Sequence, residues 1–269
     1  MEQKHYIIRG GQEGRARLQV LSRVMQPTTL NLLNRAGIRP GMACLEVGCG
    51  SGDVAFDLAR LVGPNGRVVA TDLDEIKLNL ASQEAEQLHL TNVELRLVDT
   101  VNDQFDKFDF AHARFVLSHL PDPQKALQKI WQAIRPGGVL AVQDTDFRGH
   151  FCHPEFAAFT RYVELYTKTV QQRGGDSNIG PRLPGLLVQA GFEAVQMNIV
   201  QVAEMSGESK LMAPITMENI ADSAMAEGLA SQAEVDRLVH ELYEFACKPD
   251  TVVSGPRVIQ TWGHRPQFP

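Results

Sequence analysis

Short apolar runs alternate with helical segments through the first half of this 269-residue chain. The runs, which predict strands, cover residues 42–47, 67–71, 93–98, 108–112 and 139–143. Helices are predicted between them, over residues 53–61, 74–88 and 123–134. Apolar runs without polar alternation are typical of strands that are buried on both faces. Their alternation with helices predicts an α/β domain with a mostly parallel sheet, since right-handed crossovers place helices on both faces.

The pattern changes after Asp146. Helices are predicted over residues 154–172, 183–190 and 208–247, and strands over residues 192–202 and 257–263. Before the core, residues 11–36 are predicted to be helical, with a break at Pro27 because proline lacks a backbone donor. We therefore divide the chain into a helical cap (residues 1–36), a core (37–147) and a region of lid helices and closing strands (148–269).

Composition restricts the partners. The formal net charge is −6 and no long Lys/Arg run occurs, which disfavours a broad nucleic-acid surface. No stretch reaches the ~18 uncharged apolar residues of a membrane span, and the N-terminus has no signal-peptide core. Cys44, Cys49, Cys152 and Cys247 form no CxxC pair, so we expect a cytoplasmic protein. The oligomeric state, including a homodimer, stays open.

A glycine-rich turn follows the first apolar run. The segment from Cys44 to Gly52 reads CLEVGCGSG. Glycine lets a ligand approach the backbone closely, and the following helix directs free N–H groups at that ligand. An ordinary tight turn is the simpler alternative, which three alternate glycines disfavour. The dinucleotide pattern GxGxxG fails because Asp53 stands at its last position, so the turn favours a ligand without a pyrophosphate.

Asp72 ends the second apolar run, 20 positions after Gly52. A carboxylate at this point can accept hydrogen bonds from both hydroxyls of a ribose. The alternative role is a helix N-cap, which Asp72 or Asp74 could provide. The two roles are compatible, because one acid can serve a ligand while its neighbour caps the helix.

Together these motifs resemble the class I S-adenosylmethionine (SAM)-dependent methyltransferases, within them the ubiquinone-biosynthesis-like group that acts on small molecules. The resemblance is strong from Gly37 to Phe147 and includes the segments 109–120 and 135–138. It implies a Rossmann-like sheet of seven mostly parallel strands, the last antiparallel, with helical additions that form a lid. The cofactor residues it implies are Tyr6, Glu46, Gly48, Cys49, Gly50, Gly52, Asp72, Leu73, Asp99, Thr100 and Arg114.

The catalytic residues are less sharply indicated, because positioning supplies much of the rate of methyl transfer and a base is needed only for a protonated nucleophile. His119, just past the fourth run, is a candidate base or orienting group, with a structural histidine as the alternative. Asp144, after the fifth run, is the second catalytic candidate, with a cap or loop role as the alternative. His112 is expected to pack, and Arg114 to reach the SAM carboxylate or the substrate, or to form a surface salt bridge.

Two further regions bear on the substrate. Asp146 and Phe147 follow the fifth run and are substrate-binding candidates, since ligands of open α/β sheets bind beyond the carboxyl ends of the strands. The segment from His150 to His153 is too tightly spaced for the usual zinc pairs, so we expect a loop at the pocket mouth and no metal. Methionine and aromatic residues over 197–245 could line an apolar pocket or form ordinary core.

The leading interpretation is SAM-dependent methyl transfer to oxygen or nitrogen of a small, moderately apolar metabolite. A SAM-binding enzyme of another reaction, such as a cyclisation or rearrangement, would carry the same cofactor motifs. A regulatory SAM-binding protein without turnover is the alternative from another class, and intact cofactor motifs weigh against it. Methylation of protein or RNA is a further alternative, and the acidic net charge disfavours RNA.

Overall fold

The computed structural model describes Ile8 and residues 11–100, 102–103 and 105–267, without the side chains of residues 11–13. Within these residues seven strands form one sheet, in the order β3-β2-β1-β4-β5-β10-β7. The strands are β1 (Ala43–Val47), β2 (Arg67–Asp72), β3 (Val93–Leu97), β4 (Phe108–Arg114), β5 (Ile134–Asp146), β7 (Glu193–Val200) and β10 (Arg257–His264). β10 runs antiparallel to both of its neighbours. The expected sheet of seven strands with the last antiparallel is confirmed.

Helices cover both faces of this sheet. They are α1 (Gly11–Arg35), α2 (Asp53–Val62), α3 (Glu75–Gln87), α4 (Pro123–Ala133), α5 (Ala157–Gln172), α6 (Leu183–Gln189), α7 (Met212–Ala226) and α8 (Gln232–Cys247). One apolar core packs α4 and α6 on one face of the central strands, and another packs α2 and the end of α1 on the opposite face. The crossovers thus bring the carboxyl ends of β1 to β5 to one edge.

The region after β5 differs most from the sequence prediction. The predicted helix over residues 208–247 is divided into α7 and α8 by a turn at Gly228, whose φ of 67° suits glycine. A second sheet of three short strands was not predicted; it comprises β6 (Cys152–His153), β8 (Ala203–Glu204) and β9 (Val252–Ser254). Strands of two or three residues carry too little periodicity to be recognised.

The predicted break at Pro27 is wrong, because α1 runs through this position without interruption. Tertiary packing compensates for the missing donor, since Leu32 and Leu33 beyond it are fully buried.

A separate apolar core, formed by α5, α7 and α8, packs around Phe147 at the end of β5. None of the described helices is long and apolar enough to cross a membrane.

Candidate functional site

A cavity of about 840 Å³ lies beyond the carboxyl ends of β1 to β5. Helix α1 covers it from one side, and α5 and α7 close the end that is farthest from the glycine turn. The sequence-predicted residues in its wall are Glu46, Gly48, Cys49, Gly50, Asp72, Leu73, Asp99, Thr100, Arg114, His119 and Phe147. Because the wall includes residues from Ile8 to Val258, distant parts of the chain converge on one space. We call the part at β1 to β3 the cofactor end and the part between α1, α5 and α7 the acceptor end.

The glycine turn forms the floor of the cofactor end. Gly48, Gly50 and Gly52 all have positive φ, which L side chains adopt only with strain. At Gly50 a Cβ would point into the cavity, where the nearest atom is Leu18 Cδ1 at 3.4 Å. At Gly52 a Cβ would lie 2.6 Å from Phe56 Cζ, and Gly52 is not part of the wall. Gly50 therefore exposes backbone to the cavity, whereas a Cβ at Gly52 would collide with helix α2, and the cofactor role expected of Gly52 stays a prediction.

Asp72 is held beside this turn by two backbone donors. Gly50 N donates to Asp72 Oδ2 at 2.8 Å, and Asp74 N donates to Asp72 Oδ1 at 3.0 Å. A carboxylate has about four acceptor positions, so both oxygens keep a lone pair for a ligand in the cavity. The N-cap role belongs to Asp74, whose Oδ1 accepts from Ile76 N and Lys77 N. Ligand and cap roles are thus divided between the two acids.

Apolar and acidic residues surround the outer part of the cofactor end. Leu73 and Leu97 are 59% and 58% exposed although they line the cavity, so they present apolar surface to whatever enters. Asp99 and Thr100 follow β3, and Asp99 Oδ2 accepts from Asn102 Nδ2 at 2.7 Å. A flat, nitrogen-rich ring between the two leucines would find an acceptor at Asp99.

Glu46 belongs to a row of polar side chains that crosses five adjacent strands. His112 Nδ1 lies 2.8 Å from Glu46 Oε2, and Gln143 Nε2 lies 3.1 Å from His112 Nε2. Gln260 Nε2 donates to Gln143 Oε1 at 3.2 Å, and Asn198 Nδ2 donates to Gln260 Oε1 at 3.2 Å. These five residues are the polar row. Because Gln143 Nε2 can only donate, the ring proton of His112 belongs on Nδ1, facing Glu46.

The polar row also fixes helix α1. Gln143 Nε2 donates to Thr29 Oγ1 at 3.0 Å, and Gln260 Nε2 donates to the carbonyl of Thr28 at 3.0 Å. Arg114 Nη1 donates weakly to the same Thr29 hydroxyl, at 3.4 Å. Burial lowers the pKa of Arg114, and the nearby carboxylates, Glu46 foremost, oppose that shift. His112, expected only to pack, therefore connects the carboxylate of Glu46, through Gln143, to the helix that covers the cavity.

His119 lies in the cavity wall on a 3-10 turn (Leu117–His119) that follows β4. Burial, with the positive charges of Arg17 and Lys77, lowers its pKa to about 3. The imidazole is therefore neutral at ordinary pH and can accept or donate a hydrogen bond without carrying charge. Ser118, beside it, is also part of the wall.

Asp144 and Asp146 are not part of the cavity wall. Asp144 is fully buried and accepts from Ser118 N at 3.0 Å and Thr145 N at 2.8 Å, so it anchors the turn that carries His119. Asp146 is paired with Arg148 and Arg257, at 2.8 and 2.9 Å. Because side chains alternate along a strand, Thr145 between them is the one in the wall, and the contact of the two acids with an acceptor stays a prediction.

The acceptor end is apolar and aromatic with a few polar groups. Phe147 stacks on Tyr166 with ring centroids 3.9 Å apart and an interplanar angle of 2°. Tyr162, His150 and Met212 are also in the wall. Burial lowers the pKa of His150 to about 4, so this ring is neutral. His150 thus belongs to the pocket wall, whereas Cys152 and His153 form the strand β6 and not the expected loop. In the described part of the chain no cluster of metal-ligating side chains occurs.

Sequence reasoning missed most of this end. The residues it did not assign include Leu21, Met25, Tyr162, Tyr166, Thr216 and Val258. Arg17 and Leu18 of α1 also line the cavity. The helical spacing of 17, 18, 21 and 25 in α1 was a usable signal, since it places these residues on one face. Tyr6, expected to bind the cofactor, lies outside the described residues.

A parallel α/β sheet with a glycine turn after β1 and an acid after β2 defines a class of nucleoside-binding domains. A family model described as a methyltransferase domain matches residues 38–179, more than half of the chain. The chain belongs to this methyltransferase domain family, which confirms the resemblance to class I SAM-dependent methyltransferases. It is also 30% identical over 140 residues to the demethylmenaquinone methyltransferase of Lactococcus lactis, covering 51% of this chain and 53% of that protein. The chain spans about half the length of several curated relatives it matches.

Solved structures share the fold at low sequence identity. The [4+2]-cyclase SpnF superimposes with a TM-score of 0.55 and 21% identity, covering 89% of this chain and 81% of that one. A phosphoethanolamine N-methyltransferase 2 of Haemonchus contortus gives a TM-score of 0.60 and 17% identity, covering 94% of this chain and 58% of that one. At these identities the likeness concerns the fold alone.

The cofactor end fits SAM, the cofactor of this family. Asp72 offers two oxygens to a ribose, and the backbone at Gly50 is open to the cavity. The carboxylate of Glu46 reaches the same wall and complements an ammonium group. Asp72 and Glu46 are carboxylates, which suit hydroxyl and ammonium groups better than an anionic pyrophosphate, in agreement with the incomplete dinucleotide pattern.

Proposed function

We propose that the protein transfers the methyl group of SAM to oxygen or nitrogen of a small, moderately apolar ring metabolite. The observation that carries the proposal is the continuity of the cavity: one space of about 840 Å³ joins the cofactor end to the aromatic acceptor end. When bound, SAM supplies an electrophilic methyl group on a positively charged sulfur. The chain then needs to place an acceptor in line with that methyl group and to exclude water.

The side chains of this protein divide these tasks. Asp72 and Glu46 orient the nucleoside and amino-acid portions of SAM, and Leu73 covers the base. Leu18 and Met25 of α1 line the side of the cavity that α1 covers. Phe147 and Tyr166 form a stacked aromatic wall that suits a planar acceptor. The named quinone methyltransferase among the relatives supports a quinone-like ring as the acceptor class.

His119 serves as a hydrogen-bonding and orienting group in this proposal. Its pKa of about 3 leaves it neutral, so it can hold an acceptor hydroxyl by its lone pair or its N–H. A group with so low a pKa is a poor acceptor for a full proton, since effective general bases have pKa values near the working pH. An acceptor that is itself acidic therefore suits the site better than an alcohol.

The test is methyl transfer from labelled SAM to matched acceptors, followed by product mass. The panel contains a naphthoquinol, a catechol, an aromatic amine and an aliphatic alcohol. We expect a mass gain of one methyl group for an aromatic ring acceptor and none for the alcohol. Asp72→Ala serves as the control, because it should remove turnover at limiting SAM. Conversion of an acceptor at unchanged mass would favour the cyclisation alternative, and binding of SAM without turnover of any acceptor would favour a regulatory role.

A further inference from the structure

A buried guanidinium faces the acceptor end of the cavity. Arg17 of α1 is only 8% exposed and belongs to the cavity wall. Its Nε donates to Thr216 Oγ1 of α7 at 3.1 Å. Within the part of the chain that the structure describes, no carboxylate pairs with it. A buried charge is costly unless an opposite charge or several hydrogen bonds compensate for it.

The surroundings of Arg17 place it at the acceptor end rather than at the glycine turn. The next residue, Leu18, lies over Gly50, whereas the Arg17 side chain reaches α7. Tyr162 of α5 shares a hydrogen bond with Thr216, so the phenol, hydroxyl and guanidinium form one polar cluster in an apolar wall. The charge of Arg17 also acts on His119, which belongs to the same cavity wall.

We propose that Arg17, supported by Thr216 and Tyr162, binds an ionised oxygen of the acceptor, which makes the acceptor class an acidic ring compound, a phenolate or enolate, or a ring carboxylate. This inference rests on the proposed function and names the substrate class of its site. A guanidinium presents several N–H donors, so those not used by Thr216 can hold an anionic oxygen with charge-assisted hydrogen bonds. An acceptor held as the anion needs no base, which agrees with the low pKa of His119.

The same chemistry could recognise the carboxylate of SAM, so the experiment separates the two sources. The probes are 2-hydroxy-1,4-naphthoquinone, which is an anion at neutral pH, and the neutral 2-methyl-1,4-naphthoquinone. Dissociation constants for both are measured on the full chain loaded with S-adenosylhomocysteine. For wild type we expect the anion to bind about tenfold more tightly than the neutral ring, the contribution of one charge-assisted hydrogen bond.

Three variants and one control complete the test. Arg17→Met should remove the preference for the anion, and Arg17→Lys should retain part of it, because the positive charge remains without the planar fork. Thr216→Val removes the hydroxyl that holds the guanidinium, so it should reduce the preference for the anion although the charge remains. If Arg17→Met does not fold, Thr216→Val takes its place in the test. Arg23→Met is the matched control, since Arg23 lies on the same helix and pairs with Glu208 at the surface.

The proposal is overturned if wild type binds both probes equally or if Arg17→Met keeps the preference for the anion. It is also overturned if Arg17→Met weakens S-adenosylhomocysteine about tenfold and leaves the probes unchanged, since Arg17 then serves the cofactor carboxylate. Because these measurements need no turnover, the subsite is tested separately from the reaction. If Arg17→Met loses the preference for the anion while the wild-type protein methylates none of the acceptors, the result supports the subsite and contradicts the proposed function.

Discussion

The two ends of the cavity are formed by different parts of the chain. The cofactor end is formed mainly by backbone and by short strand-end side chains between residues 46 and 100, close together along the chain. The acceptor end is formed by side chains of α1, α5 and α7 and of the loops near residues 202 and 255, which are far apart in sequence. A ligand recognised by backbone geometry leaves a local motif in the sequence, whereas one recognised by packed side chains does not.

The comparison implies different sensitivities to mutation. At the cofactor end a single Cβ can alter the shape of the site, because three glycines have positive φ. At the acceptor end each side chain supplies only part of the wall, so replacing one should weaken binding or turnover by degrees. The following predictions run from the largest expected effect to the smallest.

Gly50→Val should abolish measurable SAM binding. The β-branched side chain would occupy the cavity and would require a φ near 55°, which such residues rarely adopt. We expect the dissociation constant from calorimetry to rise more than about 10³-fold, the combined effect of lost contacts and strain. Gly63→Val is the control, since Gly63 also has positive φ but open space around a Cβ. This variant should lower the stability of the protein and leave SAM binding unchanged. Normal SAM binding by folded Gly50→Val would place the cofactor elsewhere.

Asp72→Ala should weaken SAM binding roughly 10²-fold, since each hydrogen bond to a charged group contributes about 1.5–3 kcal/mol. The change also removes the acceptor for Gly50 N, so part of the loss comes from the turn itself. Asp74→Ala is the contrasting variant, because its carboxylate caps α3 and its loss should cost about 1 kcal/mol of stability. Equal effects of the two variants on the SAM dissociation constant would show that Asp72 acts only through the turn.

Asp144 should make stability depend on pH in an unusual direction. Burial raises the pKa of Asp144 from 3.8 to about 6. The protonated carboxyl therefore stabilises the fold fully below the unfolded-state pKa, and this stabilisation is lost as pH rises through the folded-state pKa. In urea unfolding, the free energy of unfolding of Asp144→Asn relative to that of wild type should increase by up to about 3 kcal/mol between pH 4 and pH 7. Asp122→Asn is the control, because it makes the same exchange at an exposed helix cap, where the asparagine oxygen can still accept from Lys125 N. A gain that does not change with pH contradicts the prediction.

His119→Ala should have the smallest effect, lowering kcat by about tenfold, in the range of one lost orienting hydrogen bond, with SAM affinity unchanged. Because the pKa of His119 is about 3, the wild-type pH–rate profile should show no inflection from this residue between pH 6 and 9. His119→Gln, which keeps a donor and an acceptor, should recover part of the rate. An inflection near pH 6.5 that disappears in both variants would instead identify a general base.

The fold and the cofactor end were largely predictable from sequence. The sequence was sufficient to assign Glu46, Gly50 and Asp72, because each lies at or next to a junction between a strand, a turn and a helix. Asp144 and Asp146 could not be placed, because a strand buried on both faces has no polar alternation to show which side chains face the ligand. The role proposed for Arg17 depends on its contact with Thr216 of α7, 199 positions along the chain, and such a packing contact leaves no local pattern.

The polar row has a consequence for how the sheet assembles. Glu46 is paired directly with His112, Gln143 with Gln260, and Gln260 with Asn198, so the row runs through three strand interfaces in register. A slip of one residue in β10 would turn Gln260 to the opposite face and leave the amide of Gln143 without this partner. Apolar strands alone would tolerate several alignments, whereas each unsatisfied buried polar group costs about 1–3 kcal/mol. The side chains that connect Glu46 to the neighbouring strands therefore also discriminate against misaligned sheets during folding.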